Sequence, residues 1–245
     1  MIIIDKDLCT GCGICIPYCT VKALNLDEEN NLVVVNASRC TDCWGCIGNK
    51  VCPQEAIKPG PQENFRDIFR HYMSDPNAAT GTGLKGRGTE EAKTNDVTGR
   101  FKRGRVGFAI DMGRPGVGVY LRDVEKVAKT VVGAGLALED SEKNPLGAIM
   151  NLKTGEIKSE FLDEFLLSII IEGNCDVENM ENALKALKKV ENEIDTVFSL
   201  GLVLRTDDNG EVHWPQWLEV LDRVGVDRPY RGKVNVGLGR PLSTD

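Results

Sequence analysis

The stretches Cys9-Thr10-Gly11-Cys12-Gly13-Ile14-Cys15-Ile16-Pro17-Tyr18-Cys19 and Cys40-Thr41-Asp42-Cys43-Trp44-Gly45-Cys46-Ile47-Gly48-Asn49-Lys50-Val51-Cys52 hold eight of the chain's nine cysteines, and only Cys175 lies outside them. Cys9, Cys12 and Cys15 stand at C-x2-C-x2-C, with Cys19 after three intervening residues. Cys40, Cys43 and Cys46 repeat that spacing, and Cys52 follows after five intervening residues, with Pro53 next. A short apolar stretch comes after each set, Val21-Lys22-Ala23-Leu24 in one half and Gln54-Glu55-Ala56-Ile57 in the other. Such an internal repeat implies two equivalent sites.

Clustered thiols in a chain of this kind point to metal or redox chemistry. Three thiolates at two-residue intervals let a tight loop bring its sulfurs to one centre. Gly11 and Gly13 ease that turn in the first loop and Gly45 in the second. Structural zinc is the plainer alternative, but zinc sites rarely use three consecutive thiolates at this spacing. A disulfide framework is disfavoured where thiols are kept reduced.

Over residues 1–60 the pattern resembles the two-cluster bacterial ferredoxin family. The resemblance implies two 4Fe-4S clusters and one-electron transfer. In that family the fourth cysteine of each motif ligates the opposite cluster. Cluster one would therefore take Cys9, Cys12, Cys15 and Cys52, and cluster two Cys40, Cys43, Cys46 and Cys19. Two departures stand out: Thr20 replaces the proline expected after Cys19, and the gap before Cys52 is two residues longer. Neither removes a ligand, although the longer gap should bulge the loop beside cluster one. Tyr18 and Trp44 are expected to pack beside the clusters and limit water access.

Composition narrows the role. With 245 residues, 41% hydrophobic and 27% charged, the chain can bury a core and divide into domains. A formal charge of −7 argues against a nucleic-acid binder, which needs a basic face to displace phosphate counterions. It suits a carrier that meets a basic patch on a partner. No stretch approaches the roughly 20 apolar residues of a membrane span, and Met1-Ile2-Ile3-Ile4 is too short for a signal-peptide core, so a cytoplasmic protein is expected.

The expected fold class is α+β, with an N-terminal ferredoxin module at 1–60 and a C-terminal βαββαβ, ACT-like sandwich at 106–205. Residues 61–105 join them. Phe65, Ile68, Phe69 and Tyr72 recur at helical spacing until Asp75-Pro76, after which the Gly- and Thr-rich stretch reads as a linker loop. In the second domain Val106, Phe108 and Ile110 alternate as a strand, and Leu121, Val124, Ala128, Val131 and Val132 form a helical stripe ending at Gly133 and Gly135. Lys153-Thr154-Gly155 reads as a hairpin turn, Phe165 to Ile171 as an apolar run, and Met180, Ala183, Leu184, Leu187 and Ile194 as one helix face with Glu181 and Lys185 paired opposite. Phe198, Leu200, Leu202 and Leu204 form the last strand. The tail, 206–245, carries a short helix from Pro215 with Trp217, Leu218 and Leu221.

Weaker signals have plainer explanations. Gly81, Gly83 and Gly86 match G-x-G-x-x-G without the strand and helix that a dinucleotide site requires, so a loop is favoured. Gly113-Arg114-Pro115-Gly116-Val117-Gly118 reads as a hairpin turn before an anion site. Arg100, Lys102, Arg103 and Arg105 read as a solvated charge run before a phosphate or acidic-partner site, His71 and His213 as surface or packing residues, and Cys175 as a buried or incidental thiol. Trp214 and Trp217 suit either an interface or the chain's own core.

Three functions compete. The favoured one is a ferredoxin-like subunit relaying low-potential electrons from a donor protein through two 4Fe-4S clusters to a partner reductase or flavoprotein, with no nucleic acid and no membrane involved. The second is a reductase in its own right, with a flavin or substrate site in residues 76–120. Gly88-Thr89-Glu90-Glu91 and Thr94 to Arg100, within residues 85–135, resemble ferredoxin-fused reductases of nitrogen heteroaromatics of the hydroxynicotinate reductase type. That resemblance implies anaerobic reduction of a heterocycle and assigns no catalytic residue; nothing in the residues themselves calls for flavin. The third is a ligand-sensing α+β domain fused to a ferredoxin.

Overall fold

Short alternating apolar runs broken by cysteine loops give short strands, and the computed structural model shows how they pair; it describes residues 1–75, 77, 101–113, 116–139, 144–207, 209–212 and 214–227. The fold is α+β. The described residues fall into two units, one drawn from Met1–Arg87, Met112–Leu121 and Glu160–Ile169, the other from Gly88–Asp111, Arg122–Ser159 and Ile170–Asp245.

The first unit is built on the sequence repeat. Its first half runs from β1 (Ile3–Ile4) through the first cysteine loop to β2 (Leu24–Asp27), its second from β3 (Leu32–Val35) through the second loop and the one-turn helix α1 (Gly45–Gly48) to β4 (Ile57–Lys58). The halves close on each other: β1 pairs antiparallel with β4, Ile3 opposite Lys58, and β2 with β3, Leu24 opposite Val35. Ile2, Val21, Ala23, Leu24, Val33, Val51 and Ile57 form the core between them, joined by Cys15, Cys40 and Phe165. The Cys15 and Cys40 positions are thereby held by the same packing that holds the fold.

The expected helix is α2 (Phe65–Ser74), capped by the Asn64 side chain, which accepts from the Asp67 amide. Its Phe65 and Phe69 rings pack with Phe161 of the same unit. Arg66 and Arg70 both reach Glu164, at 3.1 and 3.4 Å. Burial pushes the Glu164 carboxyl up against the opposing pull of those two guanidinium groups. A two-stranded ribbon of β6 (Val119–Tyr120) and β10 (Phe165–Leu166) completes the unit, with the Arg39 guanidinium 4.3 Å from the centre of the Phe165 ring.

In the second unit one four-stranded sheet has the order β12-β5-β11-β7, from β5 (Arg105–Met112), β7 (Ala137–Leu138), β11 (Ile169–Asp176) and β12 (Phe198–Leu204). Helix α3 (Leu121–Gly133) lies between β5 and β7 in the chain, and α4 (Met180–Val190) between β11 and β12. Buried Val106, Phe108 and Ile110 of the sheet and Val124, Val127, Ala128, Val131, Ala183, Leu184 and Leu187 of the helices supply the core. Two findings depart from the sequence reading. Strand β7 falls where no alternation was legible, being two residues long. The hairpin at Lys153-Thr154-Gly155 exists, but its strands β8 (Met150–Asn151) and β9 (Glu156–Ile157) pair only with each other. Helix α5 (Trp217–Val224) is the helix expected after Pro215; its Arg223 lies 2.8 Å from Glu181 of α4, which also holds Lys185 at 2.8 Å as expected. Among the described residues no helix is long and apolar enough to cross a membrane.

Candidate metal centre

Backbone geometry explains how eight cysteines converge. In the first loop Gly11 and Gly13 hold left-handed φ of 67° and 69°. At the matching places of the second loop stand Asp42 and Trp44, at φ 58° and 52°. The turn residues of the second loop are thus Asp42 and Trp44, and Gly45, expected to make that turn, instead opens α1. Aspartate tolerates this region, whereas a bulky aromatic there is an outlier held by its surroundings. The Trp44 indole N–H donates to Asp42 Oδ1 at 2.8 Å. The Asp42 carboxylate, almost fully buried, also meets the Met1 ammonium at 3.2 Å. The His71 ring of α2 lies 4.0 Å from that of Trp44, and its Nδ1 donates to the Asp42 carbonyl at 2.9 Å, since a carbonyl can only accept.

The fourth cysteines obey the same repeat. Lys22 and Glu55, each three residues beyond Cys19 and Cys52, are left-handed at φ 55° and 53°. This twist lets the next amides point back at sulfur: Ala23 N–H donates to Cys19 Sγ at 3.1 Å and Ala56 N–H to Cys52 Sγ at 3.3 Å. Val33 N–H donates to Cys9 Sγ at 3.4 Å. The two extra residues before Cys52 are absorbed by α1 and by a left-handed Lys50, φ 49°, after which Val51 N–H bonds back to the Cys46 carbonyl.

Two cavities result. Cys9, Cys12, Cys15 and Cys52 line one, together with Ile4, Val33 and Ile57. Cys19, Cys40, Cys43 and Cys46 line the other, with Thr41, Trp44 and Leu167. Burial pushes the thiols of Cys15 and Cys40 up and that of Cys46 to about 12; after burial, Cys15 feels Cys52, Cys12 and Cys9, and Cys46 feels Cys43, Cys40 and Cys19. Cys15, Cys40 and Cys46 are therefore disfavoured as free thiolates, and a cationic centre beside them would offset that cost. Among the described residues no group of three or more His, Cys, Asp or Glu side chains is placed to hold a single metal ion. Amides aimed at sulfur and an orphaned buried hydroxyl, Thr41 Oγ1, in the second cavity also fit a group rich in sulfur acceptors.

Other candidates separate from this centre. Tyr18 lines the second cavity but is 60% exposed and shields little. His71 is a packing residue, as expected, though what it packs on was not legible. Cys175 is buried, and burial pushes its thiol up to about 11. Arg105 is committed to Asp176 at 2.7 Å and to Asn174, which removes it from an anion site. Lys102 and Arg103 are exposed. The amides of Val117 and Gly118 bond to the Gly113 carbonyl as in a turn, and among the described residues the strand that follows pairs with β10. Gly81, Gly83, Gly86, the Gly88 to Arg100 stretch, Arg114, Pro115 and His213 lie outside the described residues, and Trp214 and Trp217 are half-buried.

Cysteine loops of this form define an iron–sulfur protein that moves electrons through 4Fe-4S clusters. A family model described as 4Fe-4S dicluster domain matches residues 1–53. A ferredoxin of Pyrobaculum islandicum is 38% identical over 56 residues, 23% of this chain and 50% of that protein. Ferredoxin-3 of a Nostoc species is 36% identical over 78 residues, 25% of this chain and 78% of its own length. The indolepyruvate oxidoreductase subunit IorA of Thermococcus kodakarensis is 39% identical over 54 residues, 22% of this chain and 8% of that subunit. Through its N-terminal module the chain belongs to the ferredoxin family.

Proposed function

We propose that each cysteine quartet holds one 4Fe-4S cluster and that the chain relays low-potential electrons, one at a time, to a partner reductase or flavoprotein. The observation that carries this reading is the exchange of the fourth cysteine: each cavity takes three thiols from one loop and one from the other. Two clusters bound by interleaved loops form a short wire across one small core, since Cys15 of one quartet and Cys40 of the other belong to the same packed cluster of side chains. An IorA-like subunit that carries a related segment supports a role inside an oxidoreductase assembly. Eight closely grouped thiols suit a reducing compartment, and we place the relay in the cytoplasm. The strand order β12-β5-β11-β7 with one helix after β5 and one after β11 supports the split-βαβ, ACT-like reading of the second unit, whose role would be docking or ligand sensing. Anaerobic reconstitution tests the core of the proposal: about eight irons and eight sulfides per chain, with a paramagnetic signal after dithionite, are expected. Uptake of about four irons would leave only one of the quartets in use and overturn the relay.

A further inference from the structure

Thr41 sits between Cys40 and Cys43 and is 1% exposed, and its Oγ1 has no hydrogen-bond partner in the protein, cysteine sulfurs included. A hydroxyl in that position has lost its water without recovering a bond, which folded proteins rarely tolerate. Its surroundings limit what it can serve. The cavity it lines is that of Cys19, Cys40, Cys43 and Cys46, and the carboxylate next to it, Asp42, is taken by the Trp44 indole, the Met1 ammonium and, at 3.5 Å, the Gln62 amide. The first loop differs. Thr10 occupies the corresponding place between Cys9 and Cys12 but is exposed, so water can satisfy it.

We infer that Thr41 is a positioning residue that donates its hydroxyl proton to a sulfur of the cluster held by the second quartet, and thereby raises that cluster's reduction potential above what its amides alone would set. This rests on the cluster assignment proposed above. The physical basis is charge. Reduction adds an electron that is spread over the sulfurs, so a donor facing them binds the reduced state more tightly than the oxidised one. Hydrogen bonds to charged acceptors are the strong ones, and burial removes the competing water. Thr10 lines the first cavity but is exposed, so water competes for its hydroxyl and the effect is largest at the second cluster.

The test is a redox titration of the anaerobically reconstituted full chain, followed by electron paramagnetic resonance, for the native protein and for Thr41→Val, Thr41→Ser and Thr10→Val. Valine keeps the shape of threonine and deletes the donor; serine keeps the donor. One midpoint should fall in Thr41→Val, with the reduced-to-oxidised ratio at fixed potential dropping about tenfold, a shift of about 59 mV for one electron. Thr41→Ser should restore most of it, and Thr10→Val should shift the first cluster's midpoint less. Resonance Raman adds a second readout: an Fe–S stretch that moves in D2O in the native protein should move less in Thr41→Val, the contribution of the Ala23 amide on Cys19 Sγ remaining. Full iron content with unshifted midpoints in Thr41→Val overturns the inference and leaves the relay standing. A native chain that holds no cluster on the second quartet overturns the relay itself. If valine prevents loading, Thr41→Ala takes its place in the same titration: a fallen midpoint supports the inference and unshifted midpoints refute it.

Discussion

Trp44 holds in the second cysteine loop the place that Gly13 holds in the first, and both backbones are left-handed, φ 52° against 69°. Glycine adopts that conformation freely, whereas a side chain there costs about 1–2 kcal/mol. The second loop bears this cost because its indole is fixed at both ends, by Asp42 Oδ1 and by the His71 ring. The usual ranking of substitutions should therefore invert at this site. Trp44→Ala loses the packing and keeps the strain, while Trp44→Gly loses the packing and relieves it. We expect the glycine variant to be more stable than the alanine variant by about 1 kcal/mol, measured as the difference in urea midpoint at equal m-value.

His71 makes the second half of that clamp, from a helix that lies beyond the 1–53 stretch shared with the family model. Its ring stacks on Trp44 and its Nδ1–H holds the Asp42 carbonyl, with Nε2 3.6 Å from Asp75. Truncation to alanine forfeits an aromatic contact of about 0.5–1.5 kcal/mol and a hydrogen bond of about 1 kcal/mol. His71→Ala should accordingly destabilise the unit by about 2 kcal/mol and, on air exposure, release iron from the second quartet before the first. Iron released per chain against time would then show a fast phase of about four irons, and a single phase would refute the clamp.

Gly11 and Gly45 look alike in sequence and differ in the structure. A Cβ at Gly11 would lie 2.3 Å from the Asn31 carbonyl oxygen, on a backbone of φ 67°. At Gly45 the nearest atom is Cys43 Sγ at 3.7 Å. Gly11→Ala should abolish loading of the first quartet, and Gly45→Ala should load normally, as read from iron content after reconstitution.

That pair also marks what the sequence could and could not reveal. The grouping of the cysteines around two cavities was legible because their spacing is set by the geometry of the loop, and the repeat pointed to the second set. The strained turn was not, since Asp42 and Trp44 carry no sign that they stand where Gly11 and Gly13 do until the two loops are laid over each other. Aligning the cysteines was the signal that could have found them. Helix α2 was legible from Phe65, Ile68, Phe69 and Tyr72, but its partner was not, because periodicity names a buried face without naming what covers it. Strand β7 was missed for a similar reason: Ala137–Leu138 is too short for alternation to register, and it becomes a strand only through its pairing with Asn174 and Gly173.

Cys175 supplies a pH dependence separate from the clusters. Burial raises its thiol from 9.0 to about 11, Arg105 opposing and Asp176 adding. The unfolded chain therefore releases this proton at lower pH than the folded one, binds fewer protons between about pH 9 and 11, and gains on the folded state as pH rises. The stability attached to this thiol is complete below pH 9 and is lost through pH 11, to a limit of about 2–3 kcal/mol. Cys175→Ala should lower Tm modestly at pH 7 by leaving a small cavity, yet flatten its decline between pH 9 and 11. A parallel decline in both proteins would remove Cys175 as the cause.

Exchange of the fourth cysteine makes a prediction about pairs that single variants cannot. Removing two ligands of one cluster should cost no more iron than removing one, whereas removing one ligand from each should cost both clusters. Cys52 lines a cavity with Cys9, and Cys19 lines the other. Cys9→Ala combined with Cys52→Ala should therefore keep about four irons per chain, and Cys9→Ala combined with Cys19→Ala should keep close to none. If each loop instead served its own cluster with all four of its cysteines, the two double variants would trade places. Iron and sulfide analysis of the reconstituted pair is enough to tell the arrangements apart, because the order of the two values reverses between them.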